Sequence, residues 1–181
     1  MRRSRKEIRD PRVAEGLLRS ALVGRLGTVG EDGAPRVKPL NFVWHAGRVY
    51  FHSAREGEKI RDILRDGRVC FEVDQVLALV RARTQPCRAT CLYRSVILRG
   101  RAVLVEDEAE RRAALDALLA KHQPGSDLPG YPPEKLALTA VVRLDAEELV
   151  GKEDLGTEAQ RERILQALES GGPLPAVLDE P

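Results

Sequence analysis

Residues 50–59 read YFHSAREGEK. An apolar, strand-like run ends at His52-Ser53-Ala54, a charged turn follows, and a helix begins between Glu56 and Lys59. The Ser53 hydroxyl, the cations of Arg55 and Lys59, and the free N–H groups of a helix start together make a site for phosphate or another anion. Glu56 and Glu58 oppose an anion, although carboxylates at a helix start also serve its dipole. Upstream, Arg36 and Lys38 alternate with Val37, so a strand there puts both cations on one side. A solvated strand-to-helix corner uses similar residues, and both readings stand on these residues alone. His52 adds an imidazole, the side chain whose charge changes nearest neutral pH.

Other chemistry finds little support. No Gly-rich nucleotide fingerprint is present, neither G-x-x-x-x-G-K-[ST] nor G-x-G-x-x-G. A nucleophile elbow, H-E-x-x-H and a paired-carboxylate motif are also missing, which argues against a hydrolase. Cys70, Cys87 and Cys91 cannot all pair with one another. The C-x3-C spacing of Cys87 and Cys91 lacks a second ligand pair, and His45, His52 and His122 show no zinc spacing to it. Reduced thiols and no metal site are expected, with redox use of Cys87–Cys91 a minor alternative. His45 in a turn and His122 at a helix end read as structural. Phe42 and Trp44 read as core or interface residues.

The elements that must hold this corner follow from the pattern. Asp10-Pro11 starts a helix, with Val13, Leu17, Leu18 and Ala21 on one face. Strands are expected at LVGRLGTVG, PRVKPLNFVW and RVYFHS, joined by the turns GEDGAP and HAG into an antiparallel meander. Pro39 has no N–H for a ladder, so it belongs at an edge, a bulge or a ligand. GEKIRDILRDG is a short helix with Ile60, Ile63 and Leu64 inward and Gly67 as its stop. RVCFEVDQV alternates as a strand, and YRSVILRGRAVLVED is a long strand or strand pair bent at Gly100. DEAERRAALDALLAKH is a helix matched to its dipole. A Pro/Gly loop, a strand at LALTAVVRLDAEEL, a helix at TEAQRERILQALES and a loose tail complete the chain. The expected fold is mainly β with flanking helices: six or seven antiparallel strands in a small closed or nearly closed β-barrel over residues 1–155, and a C-terminal helix and tail over 156–181.

Composition agrees with one compact unit having a real core. The 181 residues are 43% hydrophobic, and 30 basic against 28 acidic residues give a net charge of +2. This balance speaks against nucleic acid as a partner. The basic N-terminus carries no apolar signal region, and no run is long enough to span a membrane, so the expected location is the cytoplasm.

The ordered pieces GRLGTV, PLNFV, YFHSA-x-E-G-x-K, RVCFEV, YRSVI-x-x-G-x-A and the closing GKED carry a resemblance. From about residue 8 to about residue 154 the chain resembles the pyridoxamine 5′-phosphate oxidase-related, FMN-binding split-barrel proteins. Within them it is most similar to the 5-nitroimidazole-resistance (Nim-type) branch. The resemblance implies a homodimer with FMN in clefts between subunits. It places Arg36, Val37, Lys38, Pro39, Leu40 and Asn41 along the flavin. His52, Ser53 and Ala54 would line its ribityl and phosphate end, Lys59 would pair with the phosphate, and Tyr93, Arg94 and Ser95 would lie near the cofactor and the dimer cleft. A histidine matching His52 is a proposed catalytic residue in that branch; a flavin-packing role is its alternative. Two departures matter. The C-terminal arginine-rich substrate motif of true pyridoxamine 5′-phosphate oxidases is missing, which speaks against vitamin B6 oxidation, and Leu149 stands where the branch commonly has an aromatic.

The resemblance implies an FMN-dependent oxidoreductase passing electrons from NAD(P)H to a small electrophile such as a nitroaromatic or a quinone. The alternatives are a flavin- or haem-binding carrier or sensor of the same fold without turnover, with haem or a deazaflavin in place of FMN, or a structural dimer that has lost its cofactor.

Overall fold

The computed structural model describes residues 6–128 and 130–180. Helix α1 (Pro11–Ser20) leads into β1 (Val23–Val29), β2 (Pro35–Asn41), β3 (Val43–His45) and β4 (Arg48–Ala54). Then come α2 (Glu58–Arg65), β5 (Arg68–Arg81), a short 3-10 turn at Pro86–Arg88 and β6 (Thr90–Leu104). The chain continues with α3 (Glu108–His122), α4 (Pro133–Leu138), β7 (Thr139–Asp154), α5 (Glu158–Ser170) and β8 (Val177–Asp179). Two compact units share these elements. The larger comprises Leu18–Val73 and Ile97–Leu149; the smaller takes the chain up to Leu17, Asp74–Val96 and the chain from Val150.

The strands hydrogen-bond in the order β2-β1-β5-β6-β7-β4-β3. All seven contribute residues to the larger unit. β2 and β3 stand at opposite ends of this order, yet only Phe42 separates them in sequence. The sheet of this unit must therefore curl until its two ends meet at Phe42, and the fold is a split β-barrel. β1 pairs antiparallel with β2, Gly27 opposite Val37 and Arg25 opposite Pro39. β4 pairs antiparallel with β7, His52 opposite Val141 and Ser53 opposite Ala140.

The expected meander is thus corrected. PRVKPLNFVW is two strands: β2 stays with β1, while β3 pairs with β4. The break at Phe42 is held from several sides. Its ring is fully buried and meets Phe71 edge-on, with centroids 4.9 Å apart. The Lys121 ammonium sits 4.0 Å from its ring centroid, and His122 Nε2 lies 3.1 Å from its carbonyl oxygen. Pro39 lies on the edge strand, where a missing N–H costs no ladder bond.

Other expectations change in detail. Leu64 is 67% exposed rather than inward; Ile60, Ile63 and the carboxylate-bearing Asp62 are the buried residues of α2. That helix ends at Arg65 with Asp66 as its cap, one residue before Gly67. Gly100 does not divide β6. A Cβ there would stand 2.1 Å from the Asp145 carbonyl oxygen, so the glycine is required by the close approach of β7. The start of the expected last strand winds instead into α4, giving five α-helices among the described residues.

α1 begins as expected, with the Asp10 carboxylate accepting from the Arg12 N–H at 3.0 Å. In the larger unit α3 packs Leu115 and Leu118 against Val43, Tyr50 and Val141. Glu110 fixes that helix by accepting from the Tyr50 hydroxyl at 2.8 Å and from Arg143 at 3.0 Å. In the smaller unit Leu77, Val80, Leu92, Ile164 and Leu178 form a separate core. The segment expected as a loose tail supplies β8, parallel to β5 with Val80 opposite Leu178. The Gln160 amide, donating to the Asp179 carbonyl, and an Arg83–Asp179 ion pair hold it. Cys70, Cys87 and Cys91 are free thiols. Among the described residues no helix is long and apolar enough to cross a membrane, and no cluster of side chains could hold a metal ion.

Candidate functional site

The strand-to-helix corner builds a cation that has no counter-ion among the described residues. β4 buries Val49, Tyr50 and Phe51 in succession, then turns His52 outward and leaves Ser53 half-buried. Gly57, with φ 128°, lets the chain turn sharply from Ala54 into α2. Lys59, in the first turn, lays its ammonium 5.2 Å from the centroid of the Phe51 ring. Among the described residues no carboxylate lies within ion-pair distance of it. Burial, and then the positive charge of Lys38, push its pKa down. An ammonium held this way gains most from a bound anion, because an anion relieves both its desolvation and its like-charge neighbour.

Arg36 and Lys38 do share one side of β2, as their alternation predicts, but each already has partners. Lys38 Nζ lies 2.7 Å from Glu58 and 4.0 Å from Asp62. Arg36 bonds Asp32 at 2.9 Å, with Glu58 3.6 Å away. Asp62 is buried and ionised because the Thr28 hydroxyl and Arg65 bond it, at 2.9 Å and 3.1 Å, and hold its carboxyl below the usual range against the cost of burial. Glu58, read from sequence as an opponent of an anion that also serves the helix dipole, is the internal counter-ion of both β2 cations.

His52 stands beside Lys59. Its side chain reaches solvent, yet the protein packed around the ring is the largest cause lowering its pKa, followed by the charges of Lys59 and His122. At neutral pH the imidazole is therefore uncharged and can accept or pass on a proton. His52 and Asn41, the last residue of β2, open onto a cavity of about 290 Å³. Its wall is Leu115, Leu118 and Leu119 of α3 with Leu136 of α4. His122 also lines it, so a residue read as structural holds the Phe42 carbonyl and faces the cavity as well. Neither the cavity nor Tyr131 in its wall was foreseen; the only sequence signal was the Pro/Gly-rich loop that carries the tyrosine.

The remaining candidates fall in different places. Val37 is 67% exposed on the outward face of β2, with Pro39 and Asn41, whereas Leu40 is half-buried on the Arg36–Lys38 side. Ala54 is exposed at the end of β4. Tyr93, Arg94 and Ser95 belong to β6 in the smaller unit and are half-buried there. In that unit Lys152 stands 5.7 Å over the Tyr93 ring, and Arg94 pairs with Glu153 at 2.8 Å.

The family model described as pyridoxamine 5′-phosphate oxidase matches residues 10–153. The chain belongs to this family. No curated protein matches it. Among solved structures, the family member is similar to a candidate 5-nitroimidazole antibiotic resistance protein of Bacteroides thetaiotaomicron: TM-score 0.71, 26% identity, covering 81% of this chain and 86% of that one. A flavocytochrome of Azotobacter vinelandii matches at TM-score 0.74 and 27% identity over 86% of this chain and 74% of that one. An FAD- and haem-binding protein of Mycobacterium smegmatis shares the fold at TM-score 0.77 and 22% identity, over 93% and 81% of the two chains.

Proposed function

We propose that this pyridoxamine 5′-phosphate oxidase family protein is an FMN-binding oxidoreductase that passes electrons from NAD(P)H to a small electrophile of the nitroaromatic or quinone type. The observation that carries this reading is the Lys59 ammonium in the first turn of α2, which meets no acid among the described residues, beside a neutral His52. A phosphate monoester fits that donor set. Lys59 would pair with the phosphate, Ser53 would donate its hydroxyl, and the backbone of Pro39–Asn41 would run along the ring system. The flavin, when bound, supplies the hydride and electron chemistry. His52 would hold the proton that the reduced substrate takes up. Similarity to a flavocytochrome supports the cofactor class.

The family member would work in the cytoplasm as a homodimer. Support for the dimer comes from the outward face of β1 and β2, where Val23 and Val37 are 47% and 67% exposed beside Pro39. Exposed valines at a sheet edge, here flanking Arg25 opposite Pro39, are a liability unless they are covered.

A second reading, a flavin or haem carrier or sensor without turnover, is favoured by the flavocytochrome similarity. The absorbance spectrum of the purified protein, with identification of the released ligand, separates the two. A yellow protein with bound FMN and NAD(P)H-dependent turnover supports the oxidoreductase. A Soret band supports the carrier, and a colourless protein unable to take up FMN excludes the first reading.

A further inference from the structure

We propose that the cavity under α3 and α4 is the seat of a second ligand, a one- or two-ring aromatic acid, and is not part of the cofactor site. It rests on the flavin reading only in that His52 borders both; binding of the acid needs no flavin. Three observations lead there.

The first is size. An apolar cavity of about 150 Å³ accommodates a benzene ring. The cavity here, at about 290 Å³, has room for roughly two rings. The three fused rings of a flavin, with their ribityl phosphate, exceed it.

The second is the wall. Leu115, Leu118, Leu119 and Leu136 offer apolar surface to a flat ring. Tyr131 adds its own ring, with its hydroxyl turned towards the Asp116 carboxylate. Burial, with the Asp116 carboxylate beside it, pushes that phenol up to about 12, so it stays a donor.

The third is charge. The lining contains His52, His122 and Lys135 and no carboxylate. Lys135 is exposed at the first turn of α4, and among the described residues it pairs with no acid. Its ammonium meets an acid group at the mouth while the ring lies against the leucines. Asn41, Gln123 and Thr139 supply further polar edges.

The test is calorimetric titration of the purified full chain with 2-naphthoate and, as its neutral counterpart, 2-naphthylmethanol. One naphthoate should bind per chain. Lys135→Met should weaken it at least tenfold while changing naphthylmethanol less than twofold. Leu119→Trp fills a half-buried part of the wall; it should abolish naphthoate binding and leave FMN affinity, read by flavin absorbance, within twofold. Lys135 is exposed, so K135M tests the proposal even where L119W does not fold. Absence of naphthoate binding, or an unchanged affinity in K135M, overturns the proposal. So does joint loss of naphthoate and FMN in a folded L119W, because the cavity then belongs to the cofactor. Binding of naphthoate by a protein that takes up no FMN sinks the flavin reading and leaves this one standing.

Discussion

Glu58 Oε2 lies 2.7 Å from Lys38 Nζ, while Lys59, the next residue along the helix, meets no acid among the described residues. Adjacent residues on α2 thus differ: one neutralises the β2 cations, and the other carries a charge with no acid beside it among the described residues. Glu58→Gln leaves Lys38 only the more distant Asp62 and weakens the hold on Arg36. A surface-accessible pair of this kind is worth about 0.5–1 kcal/mol, so FMN affinity should rise by a factor of about 2–5. The gain should shrink in high salt. Unchanged affinity at low salt would show that the phosphate does not feel these cations.

Lys59→Ala removes the proposed phosphate partner. A charge-assisted hydrogen bond contributes about 1.5–3 kcal/mol, so FMN should bind about 10- to 150-fold more weakly. Fluorescence quenching of FMN measures this directly, and an unaltered titration curve excludes Lys59 from the phosphate site.

His52→Ala should abolish reductase turnover while the protein stays yellow. The same imidazole offers a second readout. Its pKa is depressed partly by Lys59, so Lys59→Met should move the His52 midpoint in an NMR titration upward, towards the ordinary value. Inorganic phosphate bound at Lys59 should move it in the same direction. Equal turnover in H52A would leave His52 only a packing role.

Lys121 carries a pH dependence of stability. Burial lowers it to about 8 from the ordinary 10.5. Between those values the unfolded chain binds more protons than the folded one, so stability rises with pH across that window. Below pH 8 the cost of the buried charge is present in full. Lys121→Met removes that cost together with the Phe42 contact, so its stability relative to wild type should be about 1 kcal/mol more favourable at pH 7 than at high pH, once partial exposure is allowed for. That margin should close towards pH 10. Urea denaturation at both pH values checks it, and a margin independent of pH refutes the assignment.

Gly100→Ala should cost about 3 kcal/mol. The added methyl would overlap the Asp145 carbonyl at 2.1 Å, and backbone cannot swing aside as a side chain can. A thermal melt within a degree or two of wild type would show that β6 and β7 do not approach so closely.

Residue pattern alone determined much of this protein. Alternation in RVCFEV, the Asp10-Pro11 helix start and the apolar periodicity of α3 are local signals, because one strand or helix face writes them into neighbouring residues. The corner at His52, Ser53 and Lys59 was legible for the same reason: strand end, turn and helix start are contiguous in sequence. Tertiary structure alone decided the rest. The break at Phe42 depends on a ring gripped by Phe71, Lys121 and His122, residues 29 to 80 positions away, and no local pattern encodes that. The pairing of Lys38 with Glu58, the cavity beneath Leu119 and Tyr131, and the docking of Leu178 onto β5 are likewise contacts across the fold. A charge reads as available in sequence. Whether it is free or neutralised depends on which distant carboxylate the fold brings within a few ångströms.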